Sequence, residues 1–168
     1  EIFEKSEWSQ EIAGEILRYF LLTNHYRSPL DFSDQGLREA KYALDGFYDL
    51  FNRLKETAKL EDSVSDKLTT AIERTRSAFE QAMDDDFNTS VAVAELQSLA
   101  RIVNTAKAAG RDEEAAVAAG ELVTLGARLG LLGKDPETFL RKHPRKVASD
   151  AGLGEGAGEG EAVAVEGL

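Results

Sequence analysis

A chain of 168 residues, 42 % hydrophobic and 30 % charged, has the composition of one globular domain with a real core. It has no cysteine, which excludes disulfides, thiolate zinc sites and thiol nucleophiles and fits a cytoplasmic protein. Its net charge of −11 argues against nucleic-acid binding by bulk charge, so any RNA contact needs a local basic patch.

The apolar pattern is helical along the chain. Trp8, Ile12, Ile16, Tyr19, Phe20 and Thr23 share one face of a first helix, and Leu17 and Leu21 widen it. Pro29 ends that segment, because the residue before proline avoids helical angles. Ser33 is an N-cap for a second helix, whose Leu37, Ala40, Leu44, Phe47, Phe51, Leu54 and Ala58 follow three-four spacing. A third helix carries Val64, Leu68, Ile72, Thr75, Phe79 and Met83. A fourth opens at Asn88 or Thr89, carries Ala92, Leu96, Leu99, Val103 and Ala106, and closes at Gly110. A fifth uses Ala115, Ala118, Leu122, Leu125 and Leu129 and stops at Gly130. Asp135-Pro136-Glu137 starts a short last helix. Short connections near residues 60–64, 84–88 and 110–112 predict antiparallel neighbours. The fold expected is all-α, an up-down bundle of four to five helices over residues 1–148.

Residues 149–168 hold five acids, six glycines and no base, which predicts a disordered acidic linker. The last residues turn apolar again, like the start of a new element. The first residue is Glu rather than Met and no apolar signal region follows, so the chain reads as beginning inside a longer frame. No apolar run is long enough for a membrane span, and a monomer is expected.

Three constellations are candidates for function. In Asn24-His25-Tyr26-Arg27-Ser28-Pro29, an imidazole, a phenol and a guanidinium are consecutive. They can stack on a base or clamp a phosphate, or simply satisfy the carbonyls at a helix end. In Asp84-Asp85-Asp86-Phe87-Asn88-Thr89, the acids with Glu95 approximate a calcium loop. Thr89 stands where that loop needs glycine, so no metal is expected. A helix cap at Asn88 or Thr89, with Phe87 as a hydrophobic staple, accounts for more of the pattern. Arg141, Lys142, His143, Arg145 and Lys146 form the one basic cluster, suited to an RNA backbone or to pairing with the acidic tail. No phosphate loop, nucleophile elbow or His-Glu-x-x-His motif is present, and no catalytic residue is assigned.

Leu17-Arg18-Tyr19-Phe20-Leu21-Leu22 with His25-Tyr26-Arg27-Ser28-Pro29-Leu30-Asp31-Phe32-Ser33, then Phe79-Glu80-Gln81-Ala82-Met83-Asp84-Asp85-Asp86-Phe87-Asn88-Thr89, then Leu129-Gly130-Leu131-Leu132-Gly133 resemble successive blocks of cysteinyl-tRNA synthetases. The stretch resembles their DALR-type helical domain, which follows the catalytic core. A related layout occurs in the ligases that join cysteine to a sugar amine in mycothiol synthesis. Ser90 departs from the proline common in the family, and the tail from Gly152 is atypical.

The resemblance implies a parent enzyme that charges tRNA with cysteine using ATP and a zinc ion, both held in a catalytic domain absent here. This chain alone is then expected to hold no cofactor and to be inactive. Its implied partners are tRNA, specifically the cysteine tRNA, and that catalytic domain. Family position puts Arg18, His25, Tyr26 and Arg27 near the junction with the catalytic domain or along the tRNA. The alternatives are a stand-alone tRNA-binding or protein-interaction bundle, a calcium-binding helical protein, or the equivalent domain of a mycothiol-pathway ligase.

Overall fold

Periodic apolar residues, punctuated by caps at each boundary, produce a helical molecule. The structure is a computed structural model and describes residues 8–55 and 64–142. These form α1 (Gln10–Leu22), α2 (Asp34–Lys55), α3 (Asp66–Asp84), α4 (Thr89–Ala108), α5 (Asp112–Arg128) and α6 (Pro136–Lys142). Five long helices and one short one give the expected all-α bundle, with no strand among the described residues. The boundary at residue 148, the acidic tail and the α2–α3 connection near 60 lie outside the described residues. No helix among the described residues is long and apolar enough to cross a membrane.

Local signals set the helix ends. Ser33 accepts from the Gly36 amide at 3.2 Å and Ser65 from the Leu68 amide at 3.3 Å, each satisfying a first-turn donor. Asp135 caps α6 through the Thr138 amide at 2.9 Å, with Pro136 at the first helical position. Gly110 and Gly130 have φ of 72° and 67° and end α4 and α5 alike. In each case the following amide bonds back to the carbonyl five residues earlier, Arg111 to Ala106 and Leu131 to Gly126, both at 2.9 Å.

The helices pack as two groups that share one core. α4 lies against both α3 and α5, while α2 lies against α1 and α6. Arg76 and Arg128 fix the direction of α3 and α5. Arg76 forks onto Glu121 with two bonds of 2.7 Å, and Arg128 meets Glu80 at 3.0 Å. Residue numbers rise together across these pairs, so α3 and α5 run parallel and α4 runs against both.

Every apolar position expected on α4 and α5 is buried. Phe20 is buried, as its place on the apolar face of α1 predicts, and meets Phe32 edge-to-face at 5.6 Å, while one expectation on α1 is corrected. Leu21 is exposed, because the buried stripe of α1 passes through Ile12, Ala13, Glu15, Ile16, Tyr19 and Phe20.

Candidate functional site

α1 ends at Leu22, well before Pro29, where the Thr23 hydroxyl donates to the Phe20 carbonyl at 2.6 Å, and residues 23–33 lead from there to α2. On that path they meet the α3–α4 turn, and the structure joins the first two constellations into one site. The Tyr26 hydroxyl donates to Asp86 Oδ1 at 2.7 Å. Arg27 donates from Nε to the Tyr26 oxygen at 2.8 Å and from Nη2 to Asp86 Oδ1 at 3.1 Å, and its Nε lies 3.1 Å from Oδ2. The His25 ring stacks on Tyr26 at 4.9 Å, and the Arg27 guanidinium lies over the same phenol at 5.4 Å. The Thr89 hydroxyl donates to the Asn24 carbonyl at 3.4 Å, a second link between loop and turn. Accepting the phenol proton pins it, so the Asp86 carboxylate raises the Tyr26 pKa above its ordinary value.

The turn itself differs from the staple reading. Asn88 is the cap of α4, accepting weakly from the Val91 amide at 3.4 Å and from the Ser90 hydroxyl at 2.9 Å. Phe87, however, is 65 % exposed, and both it and Asp86 have φ of 53°. Two successive left-handed residues swing the Phe87 ring outward, so it cannot close over the first turn of α4. The same geometry gives groups of the calcium-like pattern other partners. Asp86 is spent on Tyr26 and Arg27, the Asn88 oxygen on the helix cap, and Asp84 lies within the last turn of α3.

Arg18 stands apart from this cluster. Its Nη1 donates to the Gly130 carbonyl at 2.7 Å, binding α1 to the end of α5. Arg141 and Lys142 form the last turn of α6, and Arg145 and Lys146 lie outside the described residues. The structure therefore brings His25, Tyr26 and Arg27 to Asp86 and engages Arg18 elsewhere.

A polar network that the sequence reading missed lies beside Arg18. Glu15 is 4 % exposed and accepts from the Tyr48 hydroxyl at 2.9 Å and from the Leu132 amide at 2.8 Å. The Tyr48 oxygen in turn accepts from the Lys134 amide at 3.2 Å. Burial, reinforced by the charge of Glu15, pushes the Tyr48 hydroxyl far above its ordinary pKa. The signal was present: Glu15 stands one turn from Ile12 and Tyr19 on the apolar stripe, where a charge requires a partner. Arg18, Glu15 and Tyr48 thus hold residues 130, 132 and 134 in succession.

Residues 78–133, from within α3 to just beyond α5, match the family model described as "DALR domain". Beyond that span the similarity continues through the cysteine–tRNA ligases. The chain is 43 % identical to that of Halorhodospira halophila over 131 residues, 78 % of this chain and 26 % of the relative. It is 44 % identical to that of Alkalilimnicola ehrlichii over 140 residues, 83 % and 28 % of the two chains, and 35 % identical to that of Geobacter sulfurreducens over 154 residues, 88 % and 32 %. The bundle is thus similar to a helical region of cysteine–tRNA ligases, and the chain spans between a quarter and a third of the length of these curated relatives.

Proposed function

We propose that this bundle is the tRNA-docking and scaffolding domain of a cysteine–tRNA ligase and carries out no chemistry itself. ATP and zinc would be held by the catalytic domain of the parent protein, and the tRNA served would be the cysteine tRNA. The observation that carries the reading is the similarity to cysteine–tRNA ligases, which extends over 88 % of the chain in one relative and includes the 84–89 turn within the family match. The rigid links between the 24–33 loop and that turn suit a spacer that holds neighbouring parts at a fixed separation.

Within this reading the site candidates divide by their chemistry. Tyr26 and Arg27 are engaged with Asp86, and Arg18 with Gly130, so these three hold the frame of the domain. His25, at the rim of the same stack, remains a candidate for a base or ribose contact. The basic cluster Arg141, Lys142, Arg145 and Lys146 supplies the charge that an RNA backbone needs. Fluorescence anisotropy with labelled cysteine tRNA tests this. Neutralising the four cluster cations to alanine is expected to weaken binding at least about tenfold and to lower the salt slope by about one per lost phosphate contact. Arg27→Ala is expected to change affinity by less than about twofold. Equal binding by the neutralised variant, or cysteinylation by this chain alone when ATP, cysteine and tRNA are supplied, would overturn the proposal.

A further inference from the structure

We propose that Phe87, with Val91 one turn on in α4 and Tyr26 across the loop, anchors a docking face for a protein surface. That surface would present an apolar patch edged by Lys or Arg. The inference uses residues other than the basic cluster proposed for RNA and concerns a partner of positive charge.

The first observation is conformational. A left-handed backbone is unfavourable for any residue with a side chain, and for a bulky aromatic it is an outlier. Here two such residues follow one another, Asp86 and Phe87. The strain secures no packing inside the chain, because the Phe87 ring ends 65 % exposed. It persists because Asp86 is held by Tyr26 and Arg27 on one side and Asn88 caps α4 on the other. The left-handed pair also ends α3, with the Phe87 amide donating to the Met83 carbonyl at 3.3 Å and the Asn88 amide to the Ala82 carbonyl at 2.9 Å, and it leaves the Phe87 ring facing water.

The second observation is where exposed apolar groups collect. Of the nine large hydrophobics exposed among the described residues, six belong to this end of the bundle: Leu21, Tyr26, Leu30, Phe32, Phe87 and Val91. They sit on the last turn of α1, the 24–33 loop and the α3–α4 junction, the segments joined by the Tyr26–Asp86 and Thr89–Asn24 bonds. Scattered exposed apolar residues need no explanation, but several on linked segments are the make-up of an interface.

Charge then selects the occupant. Residues 24–33 and 84–91 carry four carboxylates, Asp31, Asp84, Asp85 and Asp86, against the single guanidinium of Arg27. Arg27 is already paired, while Asp84 and Asp85 are exposed and bonded to no cation among the described residues. A phosphate backbone would be repelled from such a rim, whereas lysines or arginines around an apolar patch would be drawn to it.

A synthetic amphipathic helix of Leu and Lys serves as the probe, titrated into the ¹⁵N-labelled chain. The expected result is a set of amide shifts centred on Phe87 and Val91, with affinity reduced at least about tenfold in Phe87→Ala. A control peptide with Ser in place of Leu should bind far more weakly. The melting temperature of Phe87→Ala should match the parent, and that of Phe87→Gly, which relieves the backbone, should not fall. A clear drop in melting temperature in both variants would mean that Phe87 packs within the chain, and would overturn the proposal. So would equal binding of the Ser control, shifts mapping elsewhere, no shift up to about 1 mM peptide, or shifts at Phe87 produced by tRNA instead of the peptide.

Discussion

Glu15 illustrates how one side chain holds distant backbone. Its carboxylate accepts from the Tyr48 hydroxyl and the Leu132 amide in a site closed to water. Glu15→Ala would strand two buried donors, each at about 1–3 kcal/mol, so a loss of about 3 kcal/mol is expected in urea unfolding. Glu15→Gln keeps one acceptor oxygen in place and should lose less than half as much. Equal losses in the two variants would show that the charge, rather than the acceptor geometry, matters. The Arg27–Asp86 pair is a contrast. Both side chains are largely exposed, so the pair fixes the placement of the loop and adds little to stability.

At the scale of elements, the segment from Gly126 to Asp135 shows what a close fit demands. Leu132 has φ of 62° and folds its side chain back onto Gly126, where an added Cβ would lie 2.8 Å from Leu132 Cδ1. Gly126→Ala must push Leu132 against its neighbours, and about 1–3 kcal/mol of destabilisation is expected by thermal unfolding. A variant as stable as the parent would mean that this segment can shift freely. Such fits mark the limit of what the sequence discloses. Positions such as Leu96, Leu99, Leu122 and Leu125 were legible because burial repeats at the helical period. The caps at Ser33, Asn88 and Asp135 and the stops at Gly110 and Gly130 were legible because their chemistry is local. The meeting of Tyr26 with Asp86 and of Glu15 with Leu132 was not, because the partners lie 60 and 117 residues apart and no periodicity records such pairs. Phe87 was misread for a related reason. A staple needs the chain to enter α4 in an extended conformation, whereas the two left-handed residues before Asn88 close the end of α3, where the Phe87 and Asn88 amides serve the Met83 and Ala82 carbonyls.

At the scale of the whole molecule, ionic and hydrogen-bonded carboxylates set the response to acid. The Arg76 fork holds Glu121 below its ordinary 4.5, and hydrogen bonds from Ser65 do the same for Glu114. Lys55 and Thr138 bring Asp135 down to about 2. A carboxyl depressed by folding contributes stability that is complete above its unfolded pKa and is lost as pH falls through its folded value. The melting temperature should therefore be level from neutrality down to about pH 4.5 and then decline toward about pH 2. The Tyr48 hydroxyl acts at the other extreme. Its raised pKa contributes stability below pH 10 that is lost as ionisation of the unfolded chain takes over at higher pH. Calorimetry across both ranges checks these signs. A decline beginning at pH 6 would implicate a group other than these carboxylates.

The hold of Arg18, Glu15 and Tyr48 on residues 130, 132 and 134 also has a temporal side. A ribosome adding about 5–20 residues per second delivers the Gly130–Lys134 segment roughly 6–20 s after α1. Throughout that interval Glu15 and Tyr48 have no backbone to hold. α3, α4 and α5, joined by short connections, can already associate as they emerge. α1 can therefore pack on α2 early, but its hold on the end of α5 is completed only after α3, α4 and α5 have been synthesised.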